Sequence, residues 1–181
     1  MSEKYDLAVL GGGPGGYVAA IRAAQLGAKV ACIEHERLGG VCLNWGCIPT
    51  KSMIATAALY KKMQNAARWG IRLAGEVSVD WPAMMSRKDK IVDNLVKGIG
   101  DIFGQYGIDL VEGHGRLTDP HTLEVEKADG SGQTIEAEST IIATGSSPLS
   151  IPAFPLDSEY ILSSNDMVTL QNPPKSLRII G

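Results

Sequence analysis

The stretch Gly11-Gly12-Gly13-Pro14-Gly15-Gly16 directly follows the apolar run Tyr5–Leu10. No other segment restricts the fold as strongly. Gly11, Gly13 and Gly16 fit G-x-G-x-x-G, a pattern that needs a strand before it and a helix after it. The first glycine permits the tight turn. The second lets backbone approach a pyrophosphate, and the third lets helix pack closely on strand. The N–H groups of the first helical turn then face the phosphate oxygens. A helix is expected from about Gly15 to Leu26, with Gly27 as its stop, and Lys29–Ile33 reads as a second buried strand. Glu34 follows it, 18 residues past Gly16. That is close to the ~20 at which an acid accepts hydrogen bonds from ribose hydroxyls. The chain therefore opens with a βαβ unit for a dinucleotide, and this fingerprint serves NAD and FAD alike.

Two thiols come next, in Gly39-Gly40-Val41-Cys42-Leu43-Asn44-Trp45-Gly46-Cys47-Ile48-Pro49-Thr50-Lys51. A zinc reading needs further ligands at suitable spacing. The histidines His35, His114 and His121 are scattered and make no such set, so no metal is expected. Cys32 lies within the second buried strand and reads as a core hydrophobe. Cys42 and Cys47 read as a redox pair. In a regular helix, residues five apart are separated by about 7.5 Å along the axis, whereas a disulfide holds Cα atoms about 4.4–6.8 Å apart. The segment must therefore depart from helix between them, and Gly46 supplies the freedom. A helix N-terminus and Lys51 would both favour a thiolate. Pro49 suits an early helical position. A cofactor extended from the ribose at Glu34 could reach this dithiol with its far end, which favours a flavin.

Further along, a helix is expected over about Lys51–Trp69, with Gly70 as its stop. Asp80 reads as the N-cap of a long helix with an apolar stripe of Ile91, Leu95, Ile99 and Ile102. Ile108–Glu112 reads as a strand. Thr122–Val125 and Thr134–Ala137 read as a hairpin around Asp129-Gly130-Ser131-Gly132, and Thr140–Ala143 as a separate buried strand. His114 and His121 are expected in turns. Ser164 is a candidate cap for a short helix over Asp166–Leu170. Asn172-Pro173-Pro174 marks a linker, and Leu177–Gly181 reads as one more strand. The fold class is α/β: a parallel sheet with flanking helices and a small antiparallel insertion.

Composition narrows the partners. The 181 residues carry 17 basic and 20 acidic side chains without a basic run, so nucleic acid is not an expected partner. No apolar run approaches the roughly 20 residues that span a membrane. Met1-Ser2-Glu3-Lys4 lacks the layout of a secretory signal, which points to a cytoplasmic location.

The glycine fingerprint, Glu34, the Gly39–Lys51 segment and Ala143-Thr144-Gly145 together resemble the flavoprotein disulfide reductases. Leu43-Asn44-Trp45 and Ile48-Pro49-Thr50-Lys51 are most similar to the lipoamide dehydrogenase branch. The resemblance covers essentially the whole chain and implies a Rossmann-like FAD-binding domain. Gly11, Gly13, Pro14, Gly15 and the backbone of Gly39, Gly40, Val41 and Cys42 would meet the pyrophosphate region. Glu34 would meet the adenosine ribose, and His114 and Gly115 would lie near adenine. Ala143, Thr144 and Gly145 would contact FAD where the chain returns to the sheet. Cys47 would be the thiol nearer the flavin, Cys42 the thiol that exchanges with substrate, and Lys51 would sit by the flavin ring.

The implied activity is electron transfer from dihydrolipoamide through a Cys42–Cys47 dithiol to FAD and then to NAD⁺. Implied partners are a 2-oxo acid dehydrogenase or glycine cleavage complex, and a second copy in a homodimer. On this reading 1–147 is the FAD-binding domain, 148–174 a linker, and 175–181 the first strand of an NAD-binding domain. The proton-transfer base of such enzymes, a His–Glu pair, has no counterpart in these residues. Two alternatives stay open: a related disulfide or mercuric reductase, and a nucleotide-binding module whose thiols sense redox state without turnover.

Overall fold

The computed structural model describes residues 3–180. The chain forms two compact units that alternate along the sequence. One runs to Asn44 and resumes over Asp93–Ser147; the other is Trp45–Val92 with the residues from Pro148 onward.

The first unit is built on a six-stranded sheet. Its strands are β1 (Glu3–Leu10), β2 (Val30–Glu34), β3 (Asp109–Glu112), β4 (His114–Asp119), β5 (Thr122–Glu126) and β6 (Gly132–Ile142). Their spatial order is β3-β2-β1-β6-β5-β4. β1 pairs in parallel with β2 and β6, and β2 with β3, whereas β4, β5 and β6 pair antiparallel. All five residues of β2 are buried, as expected of an inner parallel strand covered on both faces. Tyr5, Ala8, Ile33, Leu123, Val125 and Ile135 are among the residues of the core. The α/β class, the parallel sheet and the antiparallel part agree with the reading of the sequence.

Register decides where chemistry can occur. Leu10 is level with Ile33 of β2 on one side and with Ile142 of β6 on the other. Three strands therefore end together at one edge of the sheet. The chain leaves β1 towards β2 and β3 on one side and returns through β6 on the other. Such a switch point opens a crevice beyond the carboxyl ends of the strands.

Several elements differ from expectation. Thr140–Ala143 is not a separate strand: β6 runs unbroken from Gly132 to Ile142, because no glycine or proline interrupts residues 133–142. Nor is its end buried, since Ile141 and Ile142 are exposed. His114 opens β4 rather than sitting in a turn, paired with Glu126. His121 does lie in the turn between β4 and β5, with Nδ1 3.1 Å from the Ala137 carbonyl oxygen.

Helix α1 spans Pro14–Gln25 and α2 spans Gly40–Asn44. Helix α3 covers Cys47–Gln64, beginning four residues before the expected start. A 3-10 turn over Ala66–Trp69 follows, closed by Gly70 at φ 71°, a left-handed conformation that favours glycine. Helix α4 spans Trp81–Tyr106, and Asp80 Oδ1 accepts from the Ala83 N–H at 3.0 Å, as a cap should. Its buried face is Met85, Lys88, Val92, Ile99 and Phe103; of the expected stripe Ile99 is buried, while Leu95 and Ile102, on the adjoining face, are exposed.

In the second unit, α5 is Ser164–Met167. Its cap is Ser163, one residue before the expected Ser164, in a full capping box with Asp166. Trp81 Nε1 donates to the Leu170 carbonyl and Lys88 Nζ to the Val168 carbonyl, tying this segment to α4. The strand expected over 175–181 does not form in the described residues. Leu177, Ile179 and Ile180 are exposed and outside any sheet, because a strand needs a neighbour to satisfy its N–H and C=O groups. Gly181 lies outside the described residues.

Candidate functional site

The glycine turn joins β1 to α1 at the edge where the strands end. Gly11 adopts φ 106° and donates its N–H to the Ile33 carbonyl at 2.8 Å. A Cβ on Gly11 would collide with the Ala143 carbonyl oxygen, and one on Gly16 with the Gly11 carbonyl oxygen. These two glycines are dictated by packing within the protein. Gly13 and Gly15 differ: an added Cβ would come no closer than 3.7 Å and 3.9 Å to other atoms. Space is left on their side of the turn. Gly13 caps α1 without a side chain and Pro14 opens the helix. The first-turn N–H groups of Gly15 and Gly16 thus have no intrahelical acceptor.

A second glycine turn packs against the first. Gly39 and Gly40 have φ 96° and 54°. The Gly39 N–H donates to the Gly12 carbonyl at 2.8 Å, and a Cβ on Gly40 would lie 2.7 Å from the Gly13 Cα. Glu34 braces the first turn. Its Oε2 accepts from the Gly12 N–H at 2.7 Å. Its Oε1 accepts from the N–H groups of His35 and Glu36, at 2.8 and 2.9 Å. Three of the roughly four acceptor positions of a carboxylate are filled, which leaves one for a hydroxyl. Beside it, the His35 and His114 rings stack with centroids 4.3 Å apart. Gly115 packs so tightly on Leu10 and Ile33 that no Cβ would fit.

The structure thus gathers Gly11, Gly13, Pro14, Gly15, Glu34, Gly39, Gly40, His114, Gly115 and Ala143 around the ends of β1, β2 and β6. Ala143 leaves β6 with its N–H donating to the Leu10 carbonyl at 2.8 Å. Thr144 and Gly145 follow it, both exposed. Val41 and the half-buried Cys42 lie on α2 in the same unit. Cys47 and Lys51 belong to the second unit, both exposed and one turn apart on α3. Trp45 and Gly46 interrupt the helix between the two cysteines, which are not joined by a disulfide in this structure. Among the described residues no cluster of His, Cys, Asp or Glu is placed to hold a metal ion. No described helix is long and apolar enough to cross a membrane.

Residues 5–181 match the family described as pyridine nucleotide-disulphide oxidoreductase. The chain belongs to this family of oxidoreductases. As a pyridine nucleotide-disulphide oxidoreductase it is 43% identical over 182 residues to a mitochondrial dihydrolipoyl dehydrogenase of Dictyostelium discoideum, and covers 37% of that protein. It is 38% identical to the dihydrolipoyl dehydrogenase of Acholeplasma laidlawii, covering 54% of it. It is also 43% identical to a leghemoglobin reductase of Glycine max, covering 35% of it. The chain thus spans about a third to a half of the length of these relatives. The crystal structure of LpdA from Mycobacterium tuberculosis superimposes with a TM-score of 0.84 at 27% identity, over 95% of this chain and 38% of that one.

Sequence reasoning missed two features. Gly12 accepts from the Gly39 N–H through its carbonyl, joining the two glycine turns, and donates its own N–H to Glu34, which no spacing pattern reveals. Asn44 is buried, and its Nδ2 donates to the carbonyls of Leu38 and Gly40, each at 3.0 Å. An amide among apolar neighbours between two cysteines was the available signal.

The third thiol is different in kind. Cys32 is fully buried in β2. Burial, with Glu34 nearby adding to the effect, pushes its pKa from 9.0 up to about 12. The folded protein thus keeps Cys32 protonated where an unfolded chain ionises it. Unfolding therefore releases a proton above pH 9, and stability falls as pH rises from there towards 12. The expected contribution is a slope of about 1.4 kcal/mol per pH unit. Urea unfolding of wild type and Cys32→Ala at several pH values between these limits checks this. The wild type should lose stability more steeply, and parallel curves refute the assignment.

Proposed function

We propose that the chain is the FAD-binding, redox-dithiol part of an NAD-dependent dihydrolipoamide dehydrogenase. The observation that carries the cofactor is the pair of interlocked glycine turns. Space beside Gly13 and Gly15, uncapped N–H groups at the start of α1 and one remaining acceptor position on Glu34 fit a pyrophosphate and its ribose. Gly13, Gly15 and the Gly40–Cys42 backbone would hold the pyrophosphate region, with Gly11, Pro14 and Gly39 shaping the turns around it, and Glu34 the ribose. His114 and Gly115 would border adenine, and Ala143, Thr144 and Gly145 the chain's return to the sheet. Lys51 would supply positive charge near the ring. FAD, when bound, supplies a two-electron acceptor.

The protein's own chemistry is thiol–disulfide exchange. A dihydrolipoamide thiolate attacks Cys42 sulfur of a Cys42–Cys47 disulfide, and Cys47 leaves as a thiolate. The second substrate thiolate then attacks the mixed disulfide, closing lipoamide and freeing Cys42. Of the substrate's two protons, one ends on the freed Cys42 thiol and the other is released to solvent. The names of the relatives support lipoamide as the substrate and, with it, a 2-oxo acid dehydrogenase or glycine cleavage complex as partner. NAD⁺ as final acceptor and a homodimer belong to the same reading. Cytoplasmic placement is proposed on cysteine usage, since no cysteine serves as a structural scaffold.

The test is to add FAD to the purified chain, remove excess, and titrate with dithionite. The expected result is retained flavin and an absorption band at longer wavelength than the flavin's own, lost in Cys47→Ser. A chain that retains no flavin overturns the proposal.

A further inference from the structure

We infer that Asn44 is a positioning residue that locks the turn carrying Cys42 onto the dinucleotide cradle. The inference rests on the reading of Cys42 as the exchange thiol. The Leu38–Asn44 segment forms a closed loop. Its last residue reaches back, so that one Nδ2 group holds the Leu38 and Gly40 carbonyls, both at 3.0 Å. Leu43 closes the loop from inside, its N–H donating to the Gly39 carbonyl at 3.4 Å while its side chain packs over Gly39. The loop is anchored in turn to the first glycine turn by the Gly39–Gly12 hydrogen bond and the Gly40–Gly13 packing. Cys42 rides in the middle of this assembly.

A purely packing role for Asn44 fits poorly. Its Oδ1 is buried without a hydrogen-bond partner among the described residues. A leucine of similar size would fill the same space without that penalty. What leucine cannot do is donate to two carbonyls at once. The amide is retained for its donors, and those donors fix both the approach of Gly40 to Gly13 and the position of Cys42.

The test is alkylation of the reduced chain by iodoacetamide without FAD, with each thiol followed by mass spectrometry. In wild type, half-buried Cys42 should react more slowly than exposed Cys47, and Cys32 should not react. Asn44→Ala should speed Cys42 about tenfold, the weight of two neutral hydrogen bonds, with Cys47 unchanged. Asn44→Asp keeps the volume but turns an acceptor towards two carbonyls, and should act in the same direction. Either variant should also retain less FAD than wild type. A wild-type Cys42 rate in both variants overturns the inference.

Cys32 reports unfolding, since it reacts only when the core opens. Should both variants unfold, hydrogen exchange on wild type decides: the Gly39 and Leu43 amides must be protected together, and rapid exchange of both beside a protected β1 overturns the inference. A chain that never binds FAD, yet shows the Cys42 effect, sinks the proposed function and leaves this inference standing.

Discussion

Gly16→Ala should destabilise the chain by about 3 kcal/mol or more, while Gly15→Ala, one residue away, leaves stability nearly unchanged. The two glycines are neighbours in the same helical turn, yet they face different things. A methyl group on Gly16 enters the space of the Gly11 carbonyl oxygen, which is backbone and held in the turn. Relief requires α1 to move off β1, breaking the close packing that the motif exists to allow. A methyl on Gly15 meets only the Ala143 Cβ, at an ordinary 3.9 Å. Gly15 faces the space assigned to phosphate, so its substitution should cost FAD affinity with little loss of fold. Urea unfolding without FAD separates the two, and flavin retention completes the comparison. Equal stability losses for both variants would contradict the assignment of Gly16 to packing and Gly15 to ligand.

The second large effect concerns Glu34. Its substitution by alanine strips acceptors from the N–H groups of Gly12, His35 and Glu36 at one stroke. The Gly12 donor is buried and costs about 1–3 kcal/mol when left unsatisfied, whereas the part-buried His35 and Glu36 donors can turn to water, so a loss of about 2 kcal/mol is expected even without FAD. Glu34→Gln is the more telling variant. Both carboxylate oxygens already accept from backbone N–H groups. Whichever way the amide is turned, its NH₂ faces a donor. A loss of about 1–2 kcal/mol should follow in the FAD-free chain. Were Glu34 present only to meet a ribose, glutamine would leave the FAD-free stability intact. The same urea unfolding curves distinguish these outcomes.

The legible parts of this fold were those fixed by local geometry. Gly11 needs a positive φ and Gly16 a missing Cβ, and both demands are written into residue type within six positions. Gly46 marked the place where the helix breaks between the cysteines, and Asp80 announced the start of α4. What stayed hidden depended on register between distant segments. The absence of glycine and proline from residues 133–142 was a local sign that β6 continues from Gly132, but its pairing along β1 is set by register between distant segments. His114 reads as a turn residue between two glycines, yet Gly113 and Gly115 are there for close packing on Glu126, Leu10 and Ile33. Glu34 reads as a ribose ligand because its spacing is familiar. Its service to three backbone amides appears only when the glycine turns are seen packed together. Asn44 was hidden for the same reason, since its two acceptors are defined by a loop closing on itself.

The position of β6 has a consequence for how the chain comes into being. β1 leaves the ribosome well before β6, the last strand of the sheet, yet the two are neighbours along the length of β1. Until residue 142 emerges, β1 has a partner on one side only. At translation speeds of about 5–20 residues per second, that edge stays open for roughly ten seconds. During this interval the second unit's helical segment, residues 45–92, is already available, and the apolar β1–β2 ribbon must avoid pairing with other chains. Slow synthesis through residues 93–142 should therefore raise aggregation more than slow synthesis after residue 147. The protein's yield in a cell then depends on when its sheet is closed as well as on how stable it becomes.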